Sequence, residues 1–174
     1  SFCTLLKVGI VSMPAYSRKP QVSAKAVKSK IAGAKVHYKN TLETGNVIQG
    51  MTLRGAQQYY RQVFAKTRCV PFRRHNRGVG RTGQGKEFGV TKGRWPRKSV
   101  ALMMDLLRNA EANALNKGLD PNKLKVNHVQ VDQAPRMRRR TYRAHGRAGP
   151  YMRSPCHVQI ALKEKGNRVP KPTS

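Results

Sequence analysis

The sequence predicts a single small domain that mixes helices with strands and carries strongly basic extensions. Two stretches, 52–64 and 95–118, repeat apolar residues at three- and four-residue spacing. Two others, 124–132 and 157–162, carry strand patterns and are separated by a long arginine-rich connection. The third observation is charge: among 174 residues, 36 Lys and Arg face 7 Asp and Glu, a formal net charge of +29. Such a length suits one domain with a modest core. No apolar run approaches the roughly 20 residues that cross a bilayer, so no membrane partner is expected. The periodic segments argue against disorder. A fold this cationic repels itself until a polyanion neutralises it, and the expected partner is nucleic acid.

Residues 1–13 differ from the rest and read as an additional extension, since the apolar run 5–11 is broken by Lys7. The stretch 14–31 holds Arg18, Lys19, Lys25, Lys28 and Lys30 without an acid, and predicts a basic arm that orders only on its partner. A short strand is expected over 34–39. Asn40 then caps a first helix, with Glu43 as reciprocal partner and Gly50 as its end. Thr52 caps a second, with Leu53, Ala56, Tyr60, Val63 and Phe64 on one face.

From 68 to 94 the helical pattern gives way to glycine and arginine, which predicts a flexible basic loop. Regular structure resumes at Trp95-Pro96, with proline in the first helical turn. Val100, Met103, Met104, Leu107, Ala110 and Ala114 form the stripe of a central core helix, widened by Leu102 and Leu106, and Gly118 is its left-handed terminator. In 124–132 the apolar positions change parity between Val126 and Val129, which means either a bulge or a sheet covered on both faces. In 157–162, Val158, Ile160 and Leu162 share one side. These two strands make a hairpin with an extended tip, and the tail beyond is polar and loose.

No catalytic constellation emerges. The seven acids are scattered singly, and the five histidines show no triad partners. Cys3, Cys69 and Cys156 form no CxxC, so three reduced thiols and no metal or cofactor are expected. Gly78-Val-Gly80-Arg-Thr-Gly83 matches GxGxxG, but Arg73 to Arg77 cannot be the buried strand a dinucleotide site requires before it. The GxxxxGK match at 80–86 is followed by Glu87 where a hydroxyl is needed.

The strongest feature is the hairpin tip, 134–153, with arginines at 136, 138, 139, 140, 143, 147 and 153 and neither lysine nor acid. Arginine offers a planar fork for phosphate and a face that stacks on bases. Tyr142, His145 and Tyr151 add stacking surfaces suited to unpaired RNA. Fully extended, residues 132–146 span about 45 Å. Pro135, Pro150 and Pro155 are tolerable in a two-stranded ribbon, where both strands are edges. Trp95 either stacks on a base or covers the end of the core helix.

Lys35-Val-His-Tyr-Lys-Asn-Thr41, Cys69-Val-Pro-Phe-Arg-Arg74, Gly78-Val-Gly-Arg81, Gly93-Arg-Trp-Pro96 and Arg138-Arg-Arg-Thr-Tyr-Arg-Ala-His-Gly-Arg147 closely resemble a universal large-subunit ribosomal protein family, called L twenty-two in bacteria and L seventeen in eukaryotes. The likeness runs from about residue 16 to 172, and 68–94 resembles an insertion of archaeal and eukaryotic members. Residues 1–13 lie outside the pattern, as does the lysine-rich tail common in eukaryotic members, to which no role is assigned here.

The resemblance implies an α+β fold, with helices packed on a small antiparallel sheet and a long protruding hairpin. The expected organisation is a basic extension over 1–33, one globular domain over 34–163 containing the insertion 68–94 and the hairpin 124–163, and a tail over 164–174. It further implies a non-enzymatic constituent of the large subunit, on the cytoplasmic ribosome, with nucleolar assembly if eukaryotic. The implied rRNA-binding residues are Arg73, Arg74, Arg77, Arg81, Arg94, Trp95, Arg97, Lys98, Arg136, Arg138, Arg139, Arg140, Tyr142, Arg143 and Arg153. His145, Gly146, Arg147 and Ala148 are the implied tip in the wall of the nascent-peptide exit tunnel. Implied partners are large-subunit rRNA, neighbouring ribosomal proteins and the nascent chain, with no homo-oligomer. A free-standing RNA chaperone is the competing class, but such a protein gains nothing from a long rigid reach into folded RNA.

Overall fold

β7 (Cys156–Glu164) is the central strand of the main sheet, and its composition explains why: Val158, Gln159, Ile160, Ala161 and Leu162 are all buried. It pairs antiparallel with β1 (Ala26–Ala34) on one side and β4 (Leu124–Gln133) on the other. These relations come from a computed structural model that describes residues 16–18 and 23–164. The extension 1–13, Cys3 and the tail from 165 lie outside the described residues.

Three helices complete the domain: α1 (Tyr38–Ile48), α2 (Leu53–Phe64) and α3 (Arg97–Asn116). α1 packs on β4, α3 on β1 and β7, and α2 on α3. Between them the core collects Ile48, Leu53, Tyr59, Tyr60, Met103, Leu106, Leu107, Leu124, Ile160 and Leu162, all essentially inaccessible. Each such side chain contributes about 1.5–3 kcal/mol through burial. The result is the expected α+β fold.

Several local expectations hold. Thr52 Oγ1 accepts the Gly55 N–H at 3.2 Å and caps α2. Gly118 follows α3 at φ +69°, where glycine avoids the left-handed penalty. The ladder of β4 and β7 shifts register between Val126 and His128, so the parity change is a bulge.

Others are corrected. The arm expected over 14–31 is, from Ala26 onward, a strand of the main sheet, with Ala26, Val27 and Ser29 buried. The expected boundary at residue 33 therefore falls inside β1. Lys28 and Lys30 keep their ammonium groups 5.1 Å from the centre of the Tyr16 ring. The outer-edge carbonyls of Ala26 and Lys28 accept from Lys117 Nζ, just past the end of α3, and from Asn113 Nδ2 within it, at 3.0 and 3.1 Å. No strand covers 34–39. β1 ends at Ala34, and His37 rather than Asn40 caps α1, its Nδ1 accepting the Lys39 N–H at 3.3 Å. Phe64, expected in the core, is 48% exposed, while Tyr59 is buried in that face and donates its hydroxyl to Cys69 O at 2.8 Å. Lys163 and Glu164 belong to β7 rather than to a loose tail.

Candidate nucleic-acid interface

β4 and β7 run on past the sheet into a two-stranded ribbon, β5 (Met137–Tyr142) and β6 (Ala148–Arg153), paired from Met137–Arg153 to Tyr142–Ala148. At the joint Ala134 and Pro155 are buried and linked by a 3.1 Å bond from Ala134 N–H to Pro155 O. The prolines at 135 and 155 withhold ladder donors there, which ends one sheet and lets the ribbon set off separately. At the far end the Arg143 N–H donates to Arg147 O at 2.7 Å, and His145 and Gly146 take φ of +57° and +66°. Thr141 Oγ1 closes the turn side by donating to Gly149 O at 3.0 Å.

The ladder sorts the ribbon into two faces. Opposed residues share a face, so Arg139, Arg153, Tyr151 and Met137 lie on one, and Arg138, Arg140, Tyr142 and Met152 on the other. Arginine and a large stacking side chain therefore alternate on both. All seven arginines from 136 to 153 are exposed, Tyr142 is 84% exposed, and none of the seven has a carboxylate partner among the described residues. His145, Gly146, Arg147 and Ala148, the expected tip, stand at the exposed end.

The basic segment 68–94 is built, not loose. β2 (Val70–Pro71) pairs with β3 (Gly93–Arg94), and a short 3-10 turn spans Gly83–Phe88. Glu43, buried in α1, accepts the backbone N–H groups of Arg73, Arg74 and His75 at 3.1, 3.0 and 2.8 Å. One carboxylate thus holds the start of the segment against the core. Arg68 pairs with Glu87 while lying over the Tyr59 and Phe88 rings, 4.8 and 5.8 Å from their centres. Three expected contact residues are partly committed to structure: Arg73 donates to Phe88 O, Arg94 to Gly78 O, and Arg97 lies 5.2 Å over the Phe64 ring. Arg74, Arg77, Arg81 and Lys98 are exposed without a carboxylate partner among the described residues. Trp95 is half-buried against the core with its Nε1–H on Gln84 Oε1 at 3.0 Å, which favours helix covering over stacking.

The glycine motifs have structural explanations. No strand precedes Gly78 directly, and 3-10 structure rather than an α-helix follows Gly83. A Cβ at Gly85 would collide with the Val90 carbonyl, so this glycine serves close packing within the segment. Among the described residues no cluster of His, Cys, Asp and Glu is arranged to hold a metal ion. Burial pushes the Cys69 and Cys156 thiols up, and both are unpaired.

The structure also brings together residues that are distant in sequence. Lys35, His37, Lys98, Met137, Tyr151 and Arg153 line a groove of about 500 Å³ where the hairpin leaves the domain. Of these, Lys35 and His37 carry no signal of a site in the sequence. Glu43, expected to close a cap with Asn40, instead holds residues 73–75, a role the sequence hides because these partners lie about thirty positions away.

A model of the family described as Ribosomal protein L22p/L17e matches residues 29–163. The chain belongs to that family. Similar proteins, each named Large ribosomal subunit protein uL22, include those of Argas monolakensis, 53% identical over 92% of this chain and 87% of the relative, and Bombyx mori, 52% identical over 90% and 84%. That of Anopheles gambiae is 52% identical over 92% of this chain and 86% of its own. L22p/L17e proteins are ribosomal proteins and not enzymes.

Proposed function

We propose that this chain is a structural component of the large ribosomal subunit that grips large-subunit rRNA through its hairpin and its basic segment. In this reading the globular part anchors the ribbon, and Arg136, Arg138, Arg139, Arg140, Arg143 and Arg153 contact phosphates while Tyr142 stacks. Arg73, Arg74, Arg77, Arg81, Arg94, Arg97 and Lys98 extend the contact, with Trp95 at its margin. His145, Gly146, Arg147 and Ala148 line the peptide exit tunnel and face the nascent chain. Neighbouring ribosomal proteins complete the surroundings, and the site of action is the cytoplasmic ribosome, with nucleolar assembly if the source is eukaryotic. The domain organisation follows: a core that folds around β7, and basic elements that dock.

One observation carries this reading: seven exposed guanidinium groups over residues 136–153, without a carboxylate partner among the described residues, stand on a ribbon that buries almost nothing. Such an element is costly to hold alone in water and productive against phosphate, because each contact releases counterions.

The test is co-sedimentation with large subunits across a salt gradient. Full retention at moderate ionic strength is expected for the native chain. Replacing Arg138, Arg139 and Arg140 with Ala should leave the domain folded and lower retention by orders of magnitude, with a salt slope smaller by about three. A flat salt response, or a triple variant that assembles normally, would remove the hairpin as principal anchor. A broad, salt-labile distribution over all RNA would instead indicate a free-standing RNA binder.

A further inference from the structure

The groove at the root of the hairpin has a composition that the rest of the ribbon lacks. Its cations come from separate elements: Lys35 from the β1–α1 connection, Lys98 from the first turn of α3, and Arg153 from the end of β6. No carboxylate lines it. Beside these charges stand Tyr151 and Met137, respectively 60% and 46% exposed. Large apolar side chains left this open within a cationic cleft are a surface awaiting cover.

The walls are fixed in place. The Tyr38 N–H donates to Ser154 O at 3.0 Å, and Cys156 Sγ–H to Val36 O at 3.6 Å, so the hairpin root and the β1–α1 connection are tied together. At about 500 Å³ the groove falls within the roughly 300–1,000 Å³ typical of small-ligand sites. We propose that it holds one unpaired nucleotide of the bound RNA, its base stacked on the Tyr151 ring and its flanking phosphates set between Lys35, Lys98 and Arg153. An aromatic face accepts any base, and the cations satisfy the backbone on either side. This site rests on the RNA-binding reading above and sharpens it, from general phosphate contact to capture of an extruded base.

The test uses the full chain, a short single-stranded oligouridylate, and a duplex RNA of equal length. Tyr151→Leu should weaken oligouridylate binding about tenfold, while Tyr151→Phe retains it, since stacking requires only the ring. The duplex should be indifferent to both changes. Lys35→Gln and Lys98→Gln should each lower the salt slope by about one, while Tyr151→Leu leaves it unchanged. In large subunits containing the chain, ultraviolet cross-linking should place a nucleotide adduct on Tyr151. Wild-type oligouridylate affinity in Tyr151→Leu, an equal loss in Tyr151→Phe, or an adduct of Tyr151 with a protein segment would overturn the groove proposal. The Arg138, Arg139 and Arg140 to Ala variant separates the two readings. If it loses binding while Tyr151→Leu does not, only the groove falls. If it binds normally, the wider function falls with it.

Discussion

β4 and β7 on one hand, and β5 and β6 on the other, are two pairs of antiparallel strands on the same continuous stretch of chain. In the first pair Val126, Val129, Val131, Val158, Ile160 and Leu162 are buried against helices. In the second nearly every side chain faces solvent, and opposed positions join arginine to tyrosine, methionine or proline. The contrast separates two tasks of β structure. Backbone pairing is common to both, but only the first draws stability from apolar burial, and the second keeps its side chains available for a partner. Stability and recognition therefore answer to different residues, and substitutions can address each alone.

The largest stability effect should come from the sheet. Ile160→Ala is expected to cost about 2–5 kcal/mol in denaturant unfolding, because it leaves a cavity beneath the helices. Next is Glu43→Ala, which frees three part-buried N–H groups and should cost about 2 kcal/mol, with faster hydrogen exchange confined to the amides of residues 73–75. A third measurement is stability against alkaline pH. Burial holds the Tyr59, Tyr60, Cys69 and Cys156 groups above their ordinary values of 10.0 for the phenols and 9.0 for the thiols. The fold thus favours their neutral forms, so this contribution is complete below about pH 9 and is lost as pH rises further. Tm should fall above that point, and a decline beginning at neutral pH would refute the assignment.

Gly118→Ala should cost about 1 kcal/mol, since alanine is strained at φ +69°. Smallest of all should be the ribbon: each of Arg138→Ala, Arg139→Ala and Arg140→Ala should change stability by no more than about 0.5 kcal/mol. A large loss of stability from these exposed positions would erase the distinction between the two strand pairs.

The elements with local signals were legible in the sequence. α2 and α3 announce themselves through periodic apolar residues and through Thr52 and Gly118 at their ends, and the bulge in β4 through a change of parity. β1 was hidden, because Lys28 and Lys30 suggest a solvated arm when nothing shows that Val27 and Ser29, which alternate with them, meet a sheet. The start of α1 was misplaced because His37 caps it through a ring nitrogen, outside the usual capping residues. The arginine ribbon was visible as composition, and its two mixed faces follow from register alone. Glu43 and the root groove were not, since both depend on neighbours that only the folded chain supplies.

The route of the chain through the joint has a mechanical corollary. Only residues 134–136 and 154–155 separate the ribbon from β4 and β7, and the bond from Ala134 N–H to Pro155 O ties the two crossings together. A tug on the far end loads the middle strand along its length, where the bonds to β1 resist together in shear instead of parting one at a time. The finger is therefore a lever with its fulcrum in the core, and strain at its end is delivered to the strand that is paired on both sides.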